Sequence, residues 1–295
     1  MDDKTAHELH PNGQFRYDLA RSFLSSVSAY TTDRDERGVL WVAYRHPETG
    51  DVEELGCLPG SEAQIRGNLD IARRIFLSEY SLKGADGVLR VDCSVSRTLY
   101  AQYRGLRPLQ FVNAFEGVAW AILGQQISVQ VASTLKNRIA EKYGTSWRGK
   151  FVFPSSSVIA RLGYEDLVRL HLSRAKAQYL VDLANLIERG LSLERFYRLP
   201  TEHALEELVK IKGIGPWTAR YVLLRVFGHV DVIPFQDVAL QHQWSRLNGL
   251  ERKVCQQHLV NASGLWGSYA GLLAFYLWVD RRRSRNLLPG FPAQE

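Results

Sequence analysis

From Pro108 onward the chain reads as one helix after another, and this run of punctuated amphipathic segments is what most limits its fold. NAFEGVAWAIL (113–123) sets Phe115, Val118, Ala119 and Ile122 on one stripe and stops at Gly124. Ser128 is placed to cap the next helix, whose Val131, Leu135 and Ile139 recur every four residues until Gly144 closes it. SSSVIARLGYEDLVRL (155–170), SRAKAQYLVDLANLIERG (173–190) and TEHALEELVKI (201–211) read as three further amphipathic helices. No internal repeat and no low-complexity segment interrupts them.

The first hundred residues have a different texture. GVLWVAYRHPETGDVEEL (38–55) predicts a β-hairpin around Pro47, Gly50 and Asp51. NLDIARRIFLSEYSL (68–82) predicts a helix burying Leu69, Ala72, Ile75 and Phe76, and VLRVDC (88–93) a return to the sheet. At 295 residues, 45% of them hydrophobic, the chain has room for two or three small cores. The reading is mainly α with an α+β N-terminal domain.

Several function classes drop out. Cys57, Cys93 and Cys255 lie far apart with no CxxC pair, which excludes a four-thiolate iron–sulfur cluster and any zinc-ligand spacing. They read as small thiols in a reducing compartment. MDDKTAHELHPNGQF is too acidic and polar for a secretory signal, and the longest apolar run, YAGLLAFYLWV (269–279), is half a membrane span. A soluble intracellular protein is expected. The formal net charge of +6 suits a polyanionic partner without requiring one. The arginines of DRRRSRNLLPGFPAQE read as a solvated fringe or an outer phosphate contact.

One stretch carries chemistry. In KIKGIGPWTARYVLLRVFGHVDVIPFQD (210–237) a helix ends, Gly213 and Gly215 turn the chain, and Pro216 opens the next helix. A dinucleotide-binding fold needs a strand before its glycines and a third glycine after them, so that reading fails. Bare backbone N–H groups at a helix N-terminus would receive a phosphate oxygen, with Lys210, Lys212 and the Thr218 hydroxyl beside it. A plain helical turn explains the glycines equally. Trp217 and Tyr221 share one helix face, either as core or as a stacking wall for a planar ligand. Asp237 is placed to cap the following helix, where the helix dipole would lower its pKa and keep it ionised.

Together these segments resemble the helix–hairpin–helix DNA glycosylase superfamily, nearest the bacterial 3-methyladenine DNA glycosylase II type. LVKIKGIGPWTARYVLLRVFGHVDVIPFQD (208–237) is similar to its hairpin, Gly/Pro loop and aspartate. FEGVAWAILGQQISVQVA (115–132) is similar to its first core helix and DNA-probing loop, and WGSYAGLLAFYLW (266–278) to its last helix. The likeness is specific over about 108–280 and loose before that. It implies a helix–hairpin–helix DNA glycosylase architecture in three parts: an α+β domain (1–95), a helical domain with the hairpin (112–229), and a helical lobe (96–111 plus 230–295) carrying Asp237.

The resemblance also implies roles. Asp237 would be the catalytic carboxylate, and Trp217, Tyr221 and Trp278 the pocket for an everted base. Lys210, Lys212, Gly213, Gly215 and Thr218 would hold a phosphate, and Gln125 and Gln126 would wedge into the gap left by the base. No cofactor is implied beyond a Na+ or K+ at the hairpin backbone (211–215). Bifunctional relatives carry a nucleophilic lysine two residues after the second glycine, where this chain has Trp217, so no lyase activity is expected. The implied partner is double-stranded DNA with damaged bases, met by a monomer in the cytoplasm or nucleoid and not by a membrane protein.

Such chemistry needs only one carboxylate. A purine alkylated on a ring nitrogen is already cationic and leaves without an acid, whereas an O-glycoside needs two carboxyl groups. At ~4 Å and an effective dielectric near 20, one carboxylate attracts the oxocarbenium-like sugar by roughly 4 kcal/mol, about a thousandfold in rate. Cation–π discrimination of only about 0.5–2 kcal/mol predicts a broad alkyl-purine range. The alternatives are a glycosylase for 8-oxoguanine or a deaminated base, and a non-catalytic helix–hairpin–helix DNA-binding module.

Overall fold

The computed structural model describes residues 6–90, 93–251 and 254–291. The N-terminal part is built from β1 (His7–Glu8), α1 (Tyr17–Ser26), β2 (Thr31–Arg34), β3 (Leu40–Arg45), β4 (Val52–Cys57), β5 (Gln64–Arg66) and α2 (Leu69–Phe76). The strands form one antiparallel sheet in the order β1-β5-β4-β3-β2. The predicted hairpin is β3–β4, closed by the pair Arg45↔Val52. Leu40, Val42 and Tyr44 alternate into the core, while Trp41 on the other face covers Gly56.

Asn68 caps α2 by accepting from the Asp70 and Ile71 amides, and Leu77 ends it in a left-handed turn (φ 46°). That helix is shorter than the 68–82 segment expected. Val88–Arg90 belong to a 3-10 turn (Ala85–Arg90) and not to the sheet, and the next two residues of VLRVDC lie outside the described set. The strand reading there took a short apolar run for β structure, which periodicity alone cannot distinguish.

The helical part runs through α3 (Ser94–Tyr103), α4 (Ala114–Leu123) and α5 (Val129–Tyr143), then a small hairpin of β6 (Thr145–Trp147) and β7 (Lys150–Val152). It continues with α6 (Ser156–Ala160), α7 (Tyr164–Val168), α8 (Arg174–Glu188), α9 (Thr201–Leu208), α10 (Pro216–Arg225), α11 (Val238–Leu247), α12 (Gln256–Trp266) and α13 (Ala270–Arg283). The predicted cap of α5 is in place, with Ser128 accepting from Val131 N at 3.3 Å, and Asn113 caps α4 in the same way by accepting from Glu116 N at 3.1 Å.

Three local expectations are corrected. The segment 155–170 is two short helices, α6 and α7, because Gly163 interrupts it. Val131 is 48% exposed, so the buried stripe of α5 is Ala132, Leu135, Lys136, Ile139 and Ala140. The β6–β7 hairpin, turning on Arg148 and Gly149 at positive φ, was not foreseen.

Deep in the helical part lies α13, where Ala270–Leu277, Val279 and Asp280 are all enclosed and α3, α11 and α12 pack around it. Its apolar run is thus an internal core helix, and no helix among the described residues is long and apolar enough to cross a membrane. α10 packs on both α4 and α9. Together these contacts bring the N-terminal end of α10, the loop after α4, the start of α11 and the exposed side of α13 to one cleft.

Candidate active site

The α9–α10 turn is shaped by its glycines. Gly213 sits at φ 91°, and a Cβ there would lie 2.3 Å from the Tyr179 ring, so both backbone handedness and a close neighbour require glycine. Gly215 caps α10 with Pro216 at the first helical position, and nothing lies within 4 Å of where its Cβ would be. The first-turn amides of α10 have no intrahelical acceptor and open to solvent there, the arrangement that receives an anion. Lys210 and Lys212 flank the turn as exposed side chains, paired at 2.5 Å with Glu207 and at 3.4 Å with Asp182. Thr218 departs from expectation. It is 2% exposed, and its hydroxyl accepts from Gln125 Nε2 at 2.9 Å, so that hydroxyl does not face a phosphate.

Asp237 caps α11 by accepting from Leu240 N at 3.0 Å, and its carboxylate is gripped from two more directions. Trp217 Nε1 donates to Oδ2 at 3.1 Å, and Trp278 Nε1 approaches Oδ1 at 3.5 Å. The Trp217 and Tyr221 rings stack with centroids 5.4 Å apart, and Trp278 tilts against Tyr221 at 5.6 Å. All three aromatics are half-buried, leaving ring surface on the cleft. The structure therefore brings the three aromatics of the expected pocket and the expected carboxylate into one constellation, with indole N–H groups rather than a cation facing the acid.

That setting reverses one electrostatic expectation. The helix N-terminus was expected to lower the Asp237 pKa, but burial raises it above the ordinary carboxylate value. Hydrogen bonds from Leu240, Trp217 and Trp278 pull it back without cancelling the burial. Arg281, three residues beyond Trp278 on α13, is close enough to feel the Asp237 charge. Among the described residues no ion pair joins the two.

The loop between α4 and α5 separates two glutamines expected to act alike. Gln126 is exposed at φ 58° on the loop tip. Gln125 turns inward, its amide donating to Gly213 O at 2.8 Å and Thr218 Oγ1 at 2.9 Å. Gln125 is therefore committed to the hairpin and does not project as a wedge. Two surface cavities, of about 380 and 400 Å³, lie elsewhere; neither is lined by Asp237, though Ile127 and Lys176 beside this loop line the second.

Comparison with known proteins agrees with this geometry. The profile of HhH-GPD superfamily base excision DNA repair proteins matches residues 119–264. A Bacillus subtilis protein named provisionally as the DNA-3-methyladenine glycosylase YfjP is 34% identical over 90% of this chain and 95% of its own length. This chain belongs to the HhH-GPD superfamily. A second relative, the DNA-3-methyladenine glycosylase of the same organism, is 35% identical over 68% of this chain and 65% of its own length. The solved 3-methyladenine DNA glycosylase of Archaeoglobus fulgidus superposes with a TM-score of 0.77 at 25% identity, over 94% of this chain and 98% of that one. The likeness that was loose over the N-terminal third in sequence thus extends across the fold.

Two residues of this HhH-GPD chain escaped the sequence reading. Trp120 Nε1 donates to Tyr221 OH at 3.0 Å and fixes the ring that backs the cleft. It lay off the α4 stripe, but that helix is buried from Gly117 through Leu123, so an off-stripe tryptophan was the available signal. Lys176 Nζ donates to Leu123 O and Gln125 O, both at 2.7 Å, and no sequence spacing connects those groups.

Proposed function

We propose that this chain is a monofunctional DNA glycosylase of base excision repair. It everts alkylated purines of the 3-methyladenine and 7-methylguanine type and hydrolyses their N-glycosidic bond, leaving an abasic site. The superfamily match and the relatives' names support a glycosylase acting on alkylated bases in DNA. One observation carries the chemistry: a single carboxylate, Asp237, held by indole and amide donors at the end of an aromatic cleft.

In this reading the hairpin amides around Gly213 and Gly215 take a backbone phosphate, with Lys210 and Lys212 adding a diffuse positive field. Gln126 fills the gap in the stack and hydrogen-bonds the orphaned base. The everted purine lies against Trp217, Tyr221 and Trp278, where its positive charge gains about 0.5–2 kcal/mol of cation–π attraction. As the bond breaks, the base leaves neutral and the sugar becomes cationic beside Asp237. The donors on Asp237 hold the carboxylate in place, so little reorganisation is needed when that charge appears. Water then adds to the sugar, directed by the same carboxylate, which takes the released proton and passes it to solvent.

The absence of lyase chemistry is argued from position. Trp217 stands where a lysine nucleophile would be, Lys210 and Lys212 are paired on the outer surface, and Lys176 is occupied by two carbonyls. A Na+ or K+ at the hairpin backbone (211–215) would draw on carbonyls such as those of Ile211 and Gly213, each of which keeps a lone pair beyond the donor it accepts. Bound there it would add positive charge beside the phosphate. The three-part division at 1–95, 112–229 and 96–111 plus 230–295 is proposed on the same footing, with α3 and α11–α13 packed together as the lobe that brings Asp237 to the hairpin. Acting on DNA, the protein would work inside the cell, and we read it as a monomer.

The test is incubation with N-methylated duplex DNA, chromatography of the freed bases, and borohydride trapping. Release of 3-methyladenine and 7-methylguanine without trapped protein–DNA adduct is expected. An adduct would remove the monofunctional assignment, and no release of either base would remove the substrate assignment.

A further inference from the structure

We propose that Gln125 is a positioning residue that locks the loop carrying Gln126 to the phosphate-binding hairpin, so that backbone capture and entry into the base stack occur at a fixed separation. The proposal rests on the reading of Gln126 and the hairpin given above.

Three elements meet at this residue. Its side-chain amide donates to Gly213 O at 2.8 Å and to Thr218 Oγ1 at 2.9 Å, one partner on the turn and the other inside α10. Its backbone carbonyl accepts from Lys176 Nζ of α8 at 2.7 Å, and the same ammonium takes Leu123 O at 2.7 Å. One turn along α8 from Lys176, the Tyr179 ring lies under Gly213. Loop, hairpin and α8 therefore form a closed triangle with Gln125 at one corner.

The triangle fixes the conformation of the next residue. The carbonyl held by Lys176 belongs to the peptide between Gln125 and Gln126, so its orientation constrains φ of Gln126 from the N-terminal side. That φ is 58°, in the left-handed region that L residues other than Asn, Asp and His seldom enter. A free loop would relax from it. Here the peptide is pinned on its carbonyl side by Lys176, and the preceding side chain is pinned by the hairpin. Such over-determination is what maintains a strained residue at a functional position. Lys176 can serve because it is committed to carbonyls, and burial lowers its pKa, as expected of an ammonium drawn from water to hold backbone oxygens.

A double-mutant cycle read by fluorescence separates this from simple structural glue. The probe is a duplex with a tetrahydrofuran abasic site opposite 2-aminopurine, which reports insertion into the stack without any base release. Gln125→Met keeps the side-chain volume but cannot donate, and Gln125→Ala removes the side chain. Both should slow the 2-aminopurine signal about tenfold, the size of one lost hydrogen-bonding group. Affinity for undamaged duplex, and its salt slope, should stay within about twofold. In a Gln126→Ala background either substitution should add nothing, because the residue being positioned is gone.

The proposal is overturned if the Gln125 loss carries through in full in that background, or if undamaged-duplex affinity falls equally. It is also overturned if Gln126→Ala leaves the signal intact, which removes the wedge reading with it. Wild type that gives the signal yet releases no alkylated base would instead remove the glycosylase reading and leave this coupling standing.

Discussion

Asp237 and Asp280 are acids enclosed by the same group of C-terminal helices, yet only one of them is neutralised. Asp280, 7% exposed on α13, accepts from Tyr103 OH at 2.8 Å and from the Gln243 amide, and pairs with the Arg246 guanidinium at 2.9 Å. Its charge is matched and its lone pairs are used, which is how a structural acid survives burial. Asp237 has neutral donors only, and burial pushes its pKa up. A protein that keeps an acid in so unfavourable a state gains something other than stability from it. The contrast fits Asp280 to the fold and supports the role proposed for Asp237 in the chemistry.

Exchanging each acid for its amide tests that contrast most severely. Asp237→Asn should cut base release about a thousandfold or more. It should also raise the melting temperature, since asparagine still caps α11 and the uncompensated charge is gone. Asp280→Asn should do the reverse, leaving release within about threefold while costing about 1–3 kcal/mol of stability. Base-release kinetics and thermal melts of the two variants check this. A stable, inactive Asp280→Asn would erase the distinction.

The pH dependence sharpens it. The folded chain binds a proton at Asp237 more readily than the unfolded chain does, so ionising this group costs stability. Between the ordinary carboxylate pKa and the raised folded value, stability should fall as pH rises. The melting-temperature advantage of Asp237→Asn should accordingly grow as pH rises from below the ordinary carboxylate pKa through the raised folded value. An advantage that does not change with pH would mean that the group is not titrating as described.

The two indoles offer a finer probe. Trp217→Phe and Trp278→Phe keep an aromatic ring but remove a donor from the carboxylate, so the acid limb of activity should move to higher pH. The effect should be several-fold at neutral pH for Trp217, whose contact is 3.1 Å, and smaller for Trp278 at 3.5 Å. The smallest effect belongs to the hairpin lysines. Lys210→Ala and Lys212→Ala should each weaken DNA binding modestly and uniformly across sequences, lowering the salt slope by up to about 0.9. A lysine change that altered the lesion range would contradict this ranking.

The parts legible in sequence were those decided by a few neighbouring residues. Ser128 and Asp237 announced their helices because capping is a contact across two or three positions. Gly213, Gly215 and Pro216 announced the hairpin for the same reason. What stayed hidden depends on distant partners. Gln125 looked like a twin of Gln126 until Gly213 and Thr218, 88 and 93 residues away, claimed its amide. Thr218 looked available until that contact covered it. The direction of the Asp237 pKa could not be read from its helix alone, because burial outweighs the cap and the indole hydrogen bonds together. Asp280 drew no notice at all, since nothing in DRRRSRN separates a buried acid from a solvated one.

The most direct test is the single-turnover pH–rate profile for 7-methylguanine release by wild type and Asp237→Asn. That base keeps its positive charge throughout the acid range, so an acid limb reports the protein and not the leaving group. The account predicts a limb in wild type centred above the ordinary carboxylate pKa, and residual activity without that limb in the variant. The same limb in both proteins, or a wild-type limb at the ordinary carboxylate value, would contradict it.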